Sequence, residues 1–553
     1  MRILNGSNSL RYLQNSTNTY QSKNLHSLLA AVMMTLVLSS CGKPPKNNKF
    51  IPKDASAVVC MNLKKMTAKM VSFTDLLDKD SKRIQNSGLD FNSKAYIFAK
   101  WNPKKGKEKE NYVGFTFMLQ DESKFDSFLR KYRKEKPLKI KSSEGVKYTI
   151  IDGKVIVGWA NRAVITLAAN APKAEKVWVD QLLKLRDQPE SESLLANNKY
   201  FEEIEKQDYD AAAWLNWGNT VEQLKRNPTL KFYYNYLTFA GVNFKENYII
   251  GITKFEKGRA VADIKWHMTE ALSQYKGLFK NEIDNKLLSH VPAKKPMVLL
   301  GLGLHIQGFK SILDNFGLTK RVSAFLRKET GLDADQLFDM LSGDLMAALI
   351  DIKKQDITEQ TVDKDGNLES RTIAKTNYKF LLGADINNVE SMDKLLGKLV
   401  ADKYLDKKGD IYTFKIADNT HYLFVKDKML FGSLTKTIKD AVMENKGARL
   451  DKNFVDLGRS SAFSMYADLT PKILKKLPEE NLDLVPFGLG PSLKKLDTPI
   501  ESFSIKTSPA KKNISHTKVI IEFTNKDQNS LRSLVEMIRK MNFSEVPGFL
   551  SAR

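Results

Sequence analysis

Only two cysteines occur in 553 residues, Cys41 and Cys60. That scarcity excludes a disulfide framework, so the fold has to be held by packing, for which a 42% apolar composition is ample. Long apolar runs are missing too. No segment after residue 40 approaches the roughly 18 uninterrupted apolar residues that a membrane-crossing helix needs. Histidine is sparse: His26, His267, His290, His305, His421 and His516 are scattered, with no pair at zinc spacing and no His-Glu-x-x-His helix. Phosphate-loop and nucleophile-elbow signatures are absent. Gly301-Leu-Gly303 opens like a dinucleotide loop, but the third glycine is wanting, so it reads as a strand closely approached by other backbone. The second half also lacks tryptophan, because all six (Trp101, Trp159, Trp178, Trp214, Trp217 and Trp266) fall in the first. Together these gaps leave no motif-bearing enzyme class, and no cofactor, to assign.

What the chain does have begins at its start. Residues 1–27 carry Arg2, Arg11 and Lys23 without an acid, and an eleven-residue apolar run follows, Leu28 to Leu38. Too short to span a bilayer comfortably, that run suits the core of a cleaved signal peptide. Leu38-Ser39-Ser40-Cys41 then has the pattern of a bacterial lipoprotein cleavage site. Residues 1–40 are read as the signal, and Cys41 as the new N-terminus carrying diacylglycerol and an N-acyl chain. Several acyl chains anchor a protein firmly where one does so marginally. Residues 41–50, with Pro44-Pro45, form a short stiff tether. Gly42 stands where an inner-membrane retention signal would place Asp, and no acid follows Cys41 closely. The expected address is therefore the outer membrane, facing the periplasm.

Charge adds a second expectation. The formal +24 of the whole chain falls to +21 once the three leader cations are removed. An exported protein has little access to nucleic acid, and acids are interleaved with the bases, as in Lys104-Lys-Gly-Lys-Glu-Lys-Glu110. A solvated basic surface, or one drawn to anionic headgroups, is the reading. Cys60, in Ala57-Val-Val-Cys-Met61, is expected as a buried, unreactive thiol.

The body of the chain runs twice through one series of elements, giving units at residues 51–287 and 288–553. Ile51-Pro-Lys-Asp-Ala-Ser-Ala-Val-Val-Cys60 matches Val291-Pro-Ala-Lys-Lys-Pro-Met-Val-Leu-Leu300. Paired strands follow (95–99 with 112–119; 345–351 with 378–385). Then come an amphipathic helix (123–129; 389–399) and a three-strand meander (146–167; 411–432). Asp152-Gly153 marks a hairpin turn. The units close alike, with strands at 248–252 and 260–264 against 500–505 and 517–523. The expected class is α+β: two tandem related domains from an internal duplication, mostly antiparallel, with helices on one face.

The Pro-Lys-Asp-Ala-Ser-Ala-Val opening, the lipoprotein signal and the duplicated body resemble the Bacteroidota envelope lipoprotein family catalogued as domain of unknown function 4836. The resemblance implies an envelope address and brings no catalytic residues. The residues themselves offer two weak sites. Trp214 and Trp217 flank Asn216 and could form a platform for a sugar ring or peptide, although their opposite strand parity places at least one in the core. Asp363, Asp365, Asn367 and Glu369 have spacing that faintly suggests calcium, but an exposed hairpin turn fits better. The resulting expectation is a non-enzymatic, membrane-anchored binding or scaffolding protein whose contact surface lies between the two units. Its partners would be envelope proteins, peptide or glycan. The alternatives are a glycan- or peptide-binding component of a nutrient-acquisition system, and a hydrolase with a dispersed carboxylate pair.

Overall fold

The computed structural model describes residues 47–69, 86–101, 111–132, 138–224, 245–270, 277–315, 317–362, 368–416, 419–477 and 499–540. Leu38, Ser39, Ser40 and Cys41 lie outside them, as do Asp363, Asp365 and Asn367 of the calcium candidate. In chain order the first ten strands are β1 Ala57–Asn62, β2 Lys94–Lys100, β3 Tyr112–Met118, β4 Lys141–Ser143, β5 Val146–Ile151, β6 Val155–Ala160, β7 Ala163–Ala168, β8 Ala211–Asn216, β9 Tyr248–Glu256 and β10 Arg259–His267. The next ten are β11 Val298–Gly303, β12 Leu341–Val362, β13 Leu368–Ile386, β14 Asp406–Lys408, β15 Ile411–Ile416, β16 Asn419–Lys426, β17 Met429–Ser433, β18 Phe463–Asp468, β19 Ile500–Lys511 and β20 Ile514–Phe523.

All twenty belong to one antiparallel sheet in the order β4-β5-β6-β7-β3-β2-β1-β8-β9-β10-β20-β19-β18-β11-β12-β13-β17-β16-β15-β14. Read from its two ends the order is the same, each strand of the first ten matching the one numbered ten higher. The halves meet where β10 pairs with β20, from Arg259↔Glu522 to His267↔Ile514, and Asp263↔Lys518 is the middle pair. The halves thus share one sheet and are not separate bodies.

The helices that cover this sheet are α1 Leu63–Lys69, α2 Glu122–Tyr132, α3 Glu175–Arg186, α4 Lys199–Glu205, α5 Trp217–Leu224, α6 Asn285–Ser289, α7 Ile306–Asn315, α8 Thr319–Thr330, α9 Ala334–Met340, α10 Val389–Ala401, α11 Lys436–Met443, α12 Lys452–Gly458 and α13 Ser530–Lys540. They lie on both faces, which corrects the expectation of one covered face. Neighbouring residues of β6 make the point. A Cβ on Gly158 would meet Leu182 of α3 at 2.3 Å, whereas the ring of Trp159 stands edge-on to Phe125 of α2 at 5.4 Å. The sequence signal was present: β7, Ala163–Ala168, is apolar at nearly every position and wholly buried, the pattern of a strand covered on both sides rather than an alternating one.

Each half therefore has two cores. In the first, Val58, Cys60, Tyr96, Phe98 and Trp214 pack under α3 and α4, and Met61, Ala95 and Trp159 pack with Phe125 and Leu129 of α2. In the second, Leu299, Met346, Leu381, Phe431 and Tyr466 pack with α6, α11 and α12, while Ile386 and Tyr412 pack with α9 and α10. Over the seam, Phe255, Ala260, Phe503 and Phe523 are closed off by Leu531 and Met537 of α13.

The turns explain how the meanders stay tight. Asp152 and Gly153 take φ of 50° and 68°, and the Lys154 N–H closes the turn on the Ile151 carbonyl at 3.0 Å. Asn161-Arg162 and Asp427-Lys428 adopt positive φ at matching places in the two halves without a glycine. One element breaks the likeness. β12 and β13 run 22 and 19 residues and stay paired from Ile352↔Tyr378 out to Val362↔Leu368, beyond the reach of β11 and β17. Glu369 of the calcium candidate sits on this ribbon, opposite Thr361.

Candidate functional site

A connected group of buried and part-buried polar side chains lies in the first half, beneath α4. Glu205 ends that helix, which Asn198 starts by accepting the N–H groups of Tyr200 and Phe201. The Glu205 carboxylate accepts from the hydroxyls of Tyr96 (3.0 Å) and Tyr209 (3.1 Å), from Lys94 Nζ (3.2 Å) and from Asn48 Nδ2 (3.2 Å). Lys94 Nζ also stands 4.6 Å from the centre of the Tyr209 ring. Cys60, fully buried on β1, adjoins this group. Burial, with the Glu205 charge second, pushes its thiol well above the ordinary range, and burial likewise pushes up the hydroxyls of Tyr96 and Tyr209. A protonated thiol is a poor nucleophile, and a carboxylate with four donors has its acceptor positions taken. The group holds a charge in place.

The two carboxylates that are fully buried among the described residues are similarly engaged. Asp210 takes Lys69 and the Phe255 N–H (2.6 Å); Asp344 takes Lys280 and the Asp284 N–H (3.2 Å). Each is neutralised by its own lysine, and no two of the three face each other as an acid–base pair would. Among the described residues no three His, Cys, Asp or Glu side chains converge on a metal-binding position.

The two tryptophans part, though not by strand parity, because β8 ends at Asn216 and Trp217 begins a helix. Trp214 is 1% exposed, donates through Nε1 to Asn198 Oδ1 (3.1 Å) and stacks on Tyr248 at 5.6 Å. It is core, so it cannot serve a ligand as expected of it. Trp217 starts α5, is half-buried, and stands edge-on to Trp266 at 6.5 Å. Beyond Trp214 the aromatic row continues through Tyr248 and Tyr200 to His267, whose ring centre is 4.1 Å from that of Tyr200. His267 is 5% exposed and its Nε2 has no hydrogen-bond partner among the described residues. Burial lowers its pKa, and Lys265, His516 and Lys199 add to that against the opposing Glu203. Lys173, lying over the Trp178 ring at 4.7 Å, is pulled down to about 8 by burial.

Between the two helix-covered flanks, the same face of the sheet carries rows of polar side chains. Register places Asp263, Lys518 and Lys506 in one row, and Lys265, His516 and Ser508 in the next. Asp263, Lys518 and His516 are exposed. The strip is bordered by α4, whose Glu203 pairs with Lys265, and by α12, where the Asp456 carbonyl accepts from Lys506 Nζ at 3.3 Å. These two helices occupy equivalent places in the halves. The strip is drawn from strands some 255 positions apart in sequence.

Comparison with known proteins adds little chemistry. No curated protein matches the sequence. Two crystal forms of TP0453, forms I and IV, align at 9% and 8% identity over 41% and 40% of this chain and 80% and 81% of that chain. Both give a TM-score of 0.25, too low to carry an argument. A family model described as a domain of unknown function matches residues 70–456, which span both halves of the sheet. The chain belongs to the DUF4836 family.

Proposed function

We propose that this is a lipid-anchored cell-envelope protein, held at the outer membrane on its periplasmic face, that acts by binding or scaffolding and not by catalysis. In this reading its two halves descend from an internal duplication, and the polar strip at their seam is the contact surface. The observation that carries the proposal is the contrast between buried and exposed charge. Glu205, Asp210 and Asp344 are each tied to a lysine inside the fold, whereas Asp263, His516 and Lys518 are left exposed in one band. Exposed, closely spaced charge of both signs suits a polar protein partner, since complementary charge steers and selects partners. The apolar run Leu28 to Leu38 ahead of Cys41 supports the anchor.

Two measurements test this. Cys41→Ala is expected to abolish metabolic labelling with fatty acid and to release the protein from the membrane fraction; labelling that persists removes the anchor. Crosslinking in intact envelopes, followed by affinity capture, is expected to yield a reproducible partner that Lys518→Glu with Asp263→Lys loses. A partner that this double exchange leaves untouched would place contact elsewhere. The half-buried Trp217 and Trp266 favour one second reading, a glycan or peptide ligand, which would quench their fluorescence.

A further inference from the structure

None of the residues of helix α8, Thr319–Thr330, is fully buried. Its inner side is half-buried through Val322, Ser323 and Leu326, and it packs on α9, where Ser323 Oγ accepts the Ala334 N–H at 3.1 Å. Gly331, at φ 73°, ends the helix in a left-handed cap. The outer side is presented to solvent. Arg321, Ala324, Phe325 and Lys328 follow one another at i, i+3, i+4 and i+7, so they form a single stripe.

Phe325 is 63% exposed in the middle of that stripe. Lys320 and Arg327 flank it, and Glu329 is the one acid among the outward positions. Arg327 leans toward Asp333 at 3.4 Å, while Lys320, Arg321 and Lys328 make no ion pair with a described residue. A second exposed aromatic lies where the chain leaves α10. A Cβ on Gly331 would touch Lys398 of α10 at 3.3 Å, and that helix leads through Lys403 to Tyr404, which is 70% exposed. Lys407 and Lys408 of β14 follow, both exposed.

An exposed phenylalanine gains nothing from water, and surplus cations around it gain nothing from one another. Both gain from a surface that is negatively charged outside and apolar just beneath. We propose that the outer face of α8, with Phe325 between Arg321 and Lys328, seats on an anionic lipid leaflet, with Tyr404 as a second point of contact. The apolar side of α8 is turned onto α9, so what the outer face offers a membrane is one inserted aromatic ring and the attraction of its flanking cations for anionic headgroups. The contact is small, so the unanchored chain partitions only weakly and its binding is read at high lipid concentration, while on a chain already held at the membrane the same contact sets orientation. In that respect it rests on the lipid-anchored reading, although its chemistry does not.

The test separates the two. The whole chain carrying Cys41→Ala, so that no acyl anchor contributes, is sedimented with vesicles of phosphatidylglycerol and phosphatidylcholine, or of phosphatidylcholine alone. The expected result is preference for the anionic vesicles, weakened by salt. Arg321→Ala with Lys328→Ala is expected to lower the partition coefficient by about twenty-five-fold, roughly five-fold per cation. Phe325→Ser is expected to lower it about ten-fold. These are surface positions, so unchanged circular dichroism should accompany both losses. Equal binding to the two vesicle types, or variants that bind like the parent, would overturn the proposal. Fatty-acid labelling at Cys41 is read in cells, so a failed anchor and a failed docking surface give different signatures.

Discussion

The two halves share their strand order and differ in what they bury. In the first, Cys60 pairs with Tyr96 and Ala212; in the second its place is taken by Gly301, one residue on from the Leu300 of the sequence alignment, paired with Met346 and Ser464. Glu205 ends α4 with four donors on its carboxylate, whereas Gly458 ends α12 with no side chain. A Cβ at Gly458 would already meet Leu288 at 2.8 Å, the Asn285 amide oxygen at 3.1 Å and Ile283 at 3.4 Å. The position that carries a carboxylate in one half is thus closed in the other by two aliphatic side chains and one amide. The backbone tolerates either solution, so the polar group in the first half is not demanded by the architecture.

That comparison can be broken most sharply at Glu205. Glu205→Leu leaves Lys94 and two tyrosine hydroxyls inside without their acceptor, and a loss of about 3–5 kcal/mol is expected in chemical denaturation. A loss under about 1 kcal/mol would mean that the first half accepts the second half's solution as it stands. The reverse exchange is expected to cost less. Gly301→Val brings its Cβ to 2.9 Å from Ile283 Cδ1 and 3.0 Å from Ser464 Oγ, and overpacking of that kind costs about 1–3 kcal/mol. A neutral result there would show unused room in the second half.

The smallest effect sharpens the comparison at the seam. His267 has its pKa lowered in the folded chain, so the unfolded chain takes up the proton more readily. The stability this gives is complete above the ordinary histidine pKa of about 6.5 and is lost as pH falls through that range. The melting temperature is expected to drop between about pH 7.5 and pH 5.5, and His267→Asn should flatten the dependence. A melting temperature that rises on acidification, or a slope that the variant keeps, would show that His267 does not carry the effect.

Local patterns carried much of this into the sequence. Alternating and apolar runs gave β1, β2 and β3 and their counterparts, and Asp152-Gly153 marked its turn. Strand parity separated Trp214 from Trp217 for the wrong reason, since the strand ends at Asn216 and Trp217 opens a helix. The sheet's continuity was not legible, because the β10–β20 pairing depends on contacts 255 residues apart and no local signal encodes it. The Glu205 group escaped for the same reason: Asn48 and Glu205 are 157 positions apart, and each residue alone looks ordinary. Helix α8 was hidden differently, since one phenylalanine among cations looks unremarkable until its exposure is known.

The seam also sets an order of events. β10 ends at His267, and β20, the strand that completes its pairing, begins only at Ile514. While the chain is being delivered from its N-terminus, the first half can assemble nine strands and still present β10 as an open, hydrogen-bond-hungry margin. Non-local pairing of this kind is slow and leaves unfinished edges prone to wrong partners. A newly delivered chain is therefore most vulnerable just before β20 arrives, and that strand acts as the closure on which the first half waits.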